Sequence, residues 1–193
     1  MPTQLDPSRI RRIFLLGPSH HVYLPGCAVT AHATYATPIG DITIDRDTTK
    51  MLHDTGAFDV MDESTDEDEH SVEMHLPYIA HVMKGRDFVL VPILVGALSP
   101  MRAAEYGQRL APYLEDPETA FVISSDFCHW GKRFRYTHVA PGHRAIHEGI
   151  EALDREGMAL IEAQEPAAFE GYLKRTENTI CGRNPISVLL HVC

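Results

Sequence analysis

The chain has 193 residues, 44% of them hydrophobic and 23% charged, a balance that suits one globular domain and excludes fibrous, low-complexity and largely disordered classes. Lys and Arg total 17 against 27 for Asp and Glu, a formal charge of −10, which argues against broad contact with nucleic acid or an anionic membrane. Twelve histidines favour metal or acid/base chemistry, because imidazole is the commonest metal ligand and titrates nearest neutral pH.

The opening residues Met1 to Arg12 lack the apolar stretch of a signal peptide, and no apolar run approaches bilayer length. Ile13 to Leu16 and Cys27 to Thr30 are expected to be buried strands, and Arg46 to Thr55 a helix closing at Gly56. The acidic run from Asp62 to Glu69 is expected to be a solvated loop leading into a helix from about Glu69 to Met83. Phe88 to Val95 predicts a third strand. Ser99 to Leu114 carries Met101, Ala104, Ala111 and Leu114 on one helical stripe, with Pro100 just inside its start. Phe121 to Ser124 predicts the fourth strand, followed by helices over Gly142 to Ala163, Pro166 to Arg175 and Pro185 to Val192, the last capped by Asn184. Strands buried on both faces and alternating with helices define an α/β domain with a mostly parallel central sheet flanked by helices, and nothing divides residues 1–193 into two units.

In such sheets polar groups gather at the carboxyl ends of the strands. Gly17-Pro18-Ser19-His20-His21 follows the first strand, and the pattern leaves open whether one imidazole enters a site or both serve the loop. Ser124-Ser125-Asp126-Phe127-Cys128-His129-Trp130 occupies the equivalent position after the last strand and supplies a carboxylate and an imidazole for general base work. The adjacent Cys128 and His129 are discounted as a dyad, since consecutive side chains rarely face each other. In His70-Ser71-Val72-Glu73-Met74-His75 the spacing fits neither zinc-protease helix signature, so Glu73 and His75 are assigned supporting roles, together with His21, and His70 a structural one. His143 and His147, four apart on a predicted helix, are given no role. Cys181 precedes the final helix, whose dipole favours a thiolate; on pattern alone it is an inert buried thiol. The four cysteines contain no CxxC pair, and reduced thiols in the cytosol are the simplest expectation.

Taken together, Arg11 to His21, Thr65 to Tyr78, Val91 to Leu98, Ser124 to Tyr136 and Asn178 to Ile186 closely resemble the Memo family, named for mediator of ErbB2-driven cell motility, in order along nearly the whole chain. The resemblance implies a fold similar to class III extradiol dioxygenases, with a non-haem iron or copper site at the strand ends. By motif, a histidine ligand falls on His20, the acid/base histidine on His129 with Asp126 beside it, and the cysteine that replaces the family's carboxylate ligand on Cys181. Thiolate in place of carboxylate softens the site, favours copper(I) or iron and disfavours ordinary ring cleavage. Family members carry a first histidine ligand in an N-terminal segment and continue beyond the helix that ends here at Cys193. Relative to them the chain is expected to be truncated at both ends and to lack that ligand.

Three functions follow from different classes. The foremost is a metal-dependent redox protein in cell-motility signalling from receptor tyrosine kinases to the cytoskeleton, acting on O₂ or a small molecule. An alternative is a non-catalytic adaptor that binds a phosphotyrosine-bearing receptor or adaptor peptide through Arg11 and Arg12 or through Lys132 to Arg135. A second alternative is a cysteine hydrolase with Cys181 as nucleophile and His129 as base. A cytoplasmic and nuclear location is expected, without membrane or nucleic-acid partners.

Overall fold

A computed structural model describes residues 6–139, 142 and 145–193. Its centre is a five-stranded sheet of β1 (Arg12–Pro18), β2 (Cys27–Val29), β5 (Phe58–Val60), β6 (Val89–Val95) and β7 (Thr119–Ile123). The strand order is β5-β2-β6-β1-β7. Every neighbouring pair is parallel except β2 and β6, which run antiparallel with Cys27 opposite Val95. A two-strand ribbon, β3 (Thr34–Tyr35) with β4 (Ile42–Thr43), forms a second sheet, joined to the first by a parallel bridge between Ile44 and Leu90.

The alternation of β1 explains its burial on both faces. Phe14 and Leu16 join Val91, Ile93 and Val95 under α1 (Arg46–Asp54), α5 (Pro100–Leu114) and α8 (Arg183–Leu190), which contribute Leu52, Tyr106, Leu110 and Val188. Ile13 and Leu15 point the other way, against Val72 of α3 (His70–Glu73) and Leu76 and Ile79 of α4 (Leu76–Val82). Each such fully buried aliphatic side chain contributes about 1.5–3 kcal/mol. A third cluster packs Leu153 of α6 (Ile146–Glu162) with Phe169 and Tyr172 of α7 (Pro166–Thr176) and Ile186 and Leu190 of α8. No helix among the described residues is long and apolar enough to cross a membrane.

Three expectations are corrected. The helix anticipated from Glu69 to Met83 is two, α3 and α4, because Pro77 lacks the N–H that would continue bonding to the Glu73 carbonyl. The final helix starts at Arg183 with Gly182 at its cap, and Asn184 instead donates from Nδ2 to the Gly96 carbonyl at 2.7 Å. The acidic run is only partly solvated: it forms α2 (Glu63–Asp68), capped by Asp62, and turns Asp66 and Glu69 inward. The predicted helix from Gly142 is described only from Ile146, so His143 lies outside the described residues.

Candidate functional site

β1 and β7 are neighbours in register, Leu16 opposite Ile123, and the Ser124 N–H continues the ladder to the Leu16 carbonyl at 2.9 Å. The two loops singled out in the sequence therefore leave the sheet side by side at its carboxyl edge. Two groups of donor side chains stand there: Asp126, His129 and Cys181, and separately His20, Glu69 and His70. Within each group one donor atom per residue lies within 4.8 Å of the others.

The first group is held by backbone. The Asp126 N–H donates to Cys181 Sγ at 3.1 Å, and the Cys181 N–H to the Asp126 carbonyl at 3.3 Å. Gly182 permits this approach, because a Cβ there would stand 2.5 Å from the Ser124 carbonyl oxygen and 2.4 Å from Ser125 Cβ. His129 is pinned by Thr179, whose Oγ1 accepts from the His129 N–H and donates to its carbonyl, each at 2.8 Å. His129 Nδ1 lies 2.7 Å from the Thr179 carbonyl, which only accepts, so Nδ1 carries the proton and Nε2 presents a lone pair. Nε2 lies 3.7 Å from Asp126 Oδ2. Imidazole nitrogen, carboxylate and sulfur thus gather within 4.8 Å of one another, close enough for one cation to be shared among them. An imidazole whose other nitrogen donates to a backbone carbonyl is the usual form of a metal-binding histidine. The donor set fits a transition metal.

Next to it lies a buried hub centred on Asn178, the first residue of the motif that carries Cys181. Asn178, fully buried, donates from Nδ2 to Asp154 Oδ1 at 3.0 Å and to the Tyr172 hydroxyl at 2.7 Å. Asp154 also accepts from the Cys128 N–H at 3.3 Å. Burial first, and then the Asp154 charge, raise the Cys128 thiol above its ordinary value. A thiol raised in this way is a poor nucleophile, which adds a second ground to the geometric one for discounting the dyad.

The second group is organised by Glu69, whose side chain is only 2% exposed. Its carboxylate accepts from the His20 N–H at 2.7 Å, from His20 Nδ1 at 2.9 Å and from the Ser71 N–H at 2.9 Å. Burial pushes the Glu69 carboxyl up, but the bonds from His20 and Ser71 outweigh it and leave it below the usual range. The His70 ring stacks on His20 at 4.5 Å, and His21 meets His70 edge-on at 5.9 Å. His70, expected to be structural and buried, is exposed in this group.

Of the predicted supporting residues, Glu73 lines an open cavity of about 300 Å³ with His32, Tyr35, Asp66, Glu67 and Glu69. His75 belongs elsewhere: its Nδ1 lies 3.1 Å from the Ser71 carbonyl, and it borders an apolar groove with Ile10, Ile13 and Tyr78. The roles of Glu69, Thr179, Asp154 and Asn178 are not readable from spacing, although Asn178 and Thr179 fall within the motif that carries Cys181, and Glu69 directly precedes His70 at the end of the acidic run.

Fold and site together define an α/β protein with candidate metal-binding side chains at the carboxyl edge of a mostly parallel sheet. The Memo-like protein family matches residues 3–193, and the chain belongs to that family. It is 52% identical over 190 residues to Protein MEMO1 of Danio rerio and 51% identical to that of Homo sapiens, covering 97% of this chain and 64% of each relative. A memo-1 homolog of Caenorhabditis elegans is 49% identical over 191 residues, 97% of this chain and 54% of the relative. The chain thus spans somewhat under two thirds of the length of these relatives. Family membership is consistent with the dioxygenase-like fold expected from the motifs.

Proposed function

We propose that this Memo-family chain binds a redox-active iron or copper ion at the strand ends and acts in redox and cell-motility signalling, within the cytoplasm and nucleus. The observation that carries the reading is the convergence of Cys181 Sγ, His129 Nε2 and an Asp126 oxygen in one 4.8 Å group. Cys181 would bind the ion as thiolate, and His20, at the end of the next strand, is the imidazole ligand that the resemblance adds. His129 holds and releases a proton at Nε2, with Nδ1 fixed on Thr179 and Asp126 orienting the ring's outer edge. A bound iron or copper ion would supply one-electron chemistry with O₂ or a reduced oxygen species, and the sulfur ligand favours copper(I). Anaerobic loading with iron(II) or copper(I), followed by metal analysis, tests it. Loss of metal in Cys181→Ser and His20→Ala supports the reading, whereas full occupancy and unchanged oxidase activity in both rejects it.

One observation favours the adaptor as a second reading. Lys132, Arg133 and Arg135 are exposed on a short turn whose Phe134 ring packs 5.1 Å from His129. In the other basic candidate, Arg11 with Arg12, Arg12 is already paired with Asp45 at 2.8 Å and Arg11 donates to the Ser8 and Ile10 carbonyls. Calorimetry with phosphotyrosine and unmodified peptides separates the cases: a preference for the phosphorylated form supports the adaptor, and equal or absent binding ends it. The hydrolase reading predicts that iodoacetamide labels Cys181 stoichiometrically with loss of a hydrolytic activity.

A further inference from the structure

The acidic run lines a cavity of about 300 Å³ that the Cys181 centre does not use. The loop after β2 folds over α2, so that Thr30 Oγ1 donates to Asp66 Oδ2 and the Tyr35 hydroxyl to Asp66 Oδ1. The His32 N–H in turn donates to Thr30 Oγ1 at 2.9 Å. Burial, and then the Asp66 charge, push the Tyr35 hydroxyl well up, which keeps it protonated and donating. The Asp66 side chain is only 5% exposed, yet no Lys or Arg lines the cavity, and His32 Nε2, at 3.7 Å from Oδ2, is beyond hydrogen-bond length. Two hydroxyls offset part of the cost of burying that charge, but no cationic side chain completes it. Glu67 and Glu73 add exposed carboxylates at the rim, and buried Val72 and Leu76 form an apolar floor. Glu69 is committed to His20 and Ser71 and contributes only its field.

No three of His32, Asp66, Glu67, Glu69 and Glu73 bring donor atoms within 4.8 Å of one another. The carboxylates are spread around the cavity rather than gathered on one metal ion. Anions spaced over an apolar floor match an organic cation, an ammonium group on an aliphatic stem, with the Tyr35 ring as an aromatic wall. We propose that this cavity binds a primary amine on such a stem, either a free diamine or the lysine side chain of a basic partner segment, with Asp66 as the anchor. Glu67 and Glu73 hold the outer part of the ligand. The volume stands at the low end of small-ligand pockets, about 300–1,000 Å³, and suits a short stem. The formal charge of −10 draws such cations in. The inference goes beyond the proposed function and takes neither Cys181 nor His20 as a ligand, so the two stand or fall separately.

Calorimetry on the whole metal-free chain at low salt tests it with pentanediamine, with pentanediol, and with a terminally blocked peptide carrying one lysine, free or acetylated. One pentanediamine per chain is expected, with pentanediol inert and the affinity falling as salt rises. Asp66→Asn removes the anchoring charge and should weaken the diamine about 10–100-fold, as loss of one charge-assisted hydrogen bond does. Glu73→Gln, on an exposed side chain, should weaken it about 2–5-fold. Glu105→Gln, an exposed carboxylate of α5 on the other face of the sheet, should leave it unchanged. Binding of the lysine peptide that is lost on acetylation assigns the cavity to a basic segment; diamine binding with the peptide inert assigns it to a small amine. Both uphold the inference. Failure of diamine and peptide alike to bind overturns it, as does equal binding of the diol, or a Glu105→Gln chain weakened as much as Glu73→Gln. Parent-like binding in both Asp66→Asn and Glu73→Gln also overturns it. Thermal melts of the variants separate unfolding from lost contact, and Glu73→Gln decides alone where Asp66→Asn does not fold.

Discussion

Replacing Glu69 by Ala tests the Glu69 network directly. The substitution removes three charge-assisted hydrogen bonds, from the His20 N–H, His20 Nδ1 and the Ser71 N–H. Ser71 is 4% exposed, so its amide is left without an acceptor. Each bond contributes about 1.5–3 kcal/mol, and a buried unpaired donor costs about 1–3 kcal/mol. Desolvation of the carboxylate offsets part of the gain, leaving an expected loss of about 3–5 kcal/mol. At about 2–4 °C per kcal/mol for a domain of this size, Tm should fall by about 6–20 °C. The loss must also depend on pH. Because the folded Glu69 carboxyl lies below its usual range, its stabilisation is fully present above the unfolded value of about 4.3 and is lost as pH falls through the folded value. Urea denaturation of parent and variant from pH 7 to pH 3 should show a gap constant at the neutral end that closes with acidification. A gap below about 1 kcal/mol at pH 7, or one that does not narrow in acid, refutes the reasoning.

Gly182→Ala drives a Cβ into Ser125 and the Ser124 carbonyl; it should cost about 1–3 kcal/mol by overpacking and weaken metal retention at Cys181, read by denaturation and metal analysis. Asp154→Ala strips acceptors from Asn178 and from the Cys128 amide and should cost about 1–3 kcal/mol, with a Tm unchanged within error arguing against the hub. His129→Ala removes a half-buried ring at the protein surface. Its folding cost should stay near 1 kcal/mol, while metal-dependent oxidase activity falls and its pH profile flattens.

The legible parts of the fold were those governed by local pattern. β1, β6 and β7 announce themselves as apolar runs because both faces are covered, and the start of α5 is marked by Ser99 and Pro100. Its expected stripe of Met101, Ala104, Ala111 and Leu114 is not the buried face: Ala103, Tyr106, Gly107 and Leu110 face the core, and Met101 is 71% exposed. β5 escaped because Asp59 sits between Phe58 and Val60 and only Phe58 is buried. The break between α3 and α4 is marked in the sequence by Pro77, which lacks the N–H a continuous helix requires. His20, His129 and Cys181 were found from strand-end position and motif. Glu69 was not, because an acidic run is ordinarily solvated, and only the packing of α3 over Gly17 turns one member of it inward. Thr179 and Asp154 act through contacts 50 and 26 residues away in sequence, a separation that no local pattern encodes.

The two donor groups differ in how they are held. Apart from the His129–Asp126 pair, every contact named for the thiolate group has a main-chain atom on one side, so Cys181 and His129 are fixed as the loops after β7 and before α8 are fixed. A binding constellation keeps its geometry only where packing and hydrogen bonds lock its side chains. At the end of β1 only Glu69 and the His20 tautomer are fixed, and His70 lies exposed. Substitutions in the backbone frame, such as Gly182→Ala, are therefore expected to disturb the Cys181 group more than any change to the exposed His70 ring.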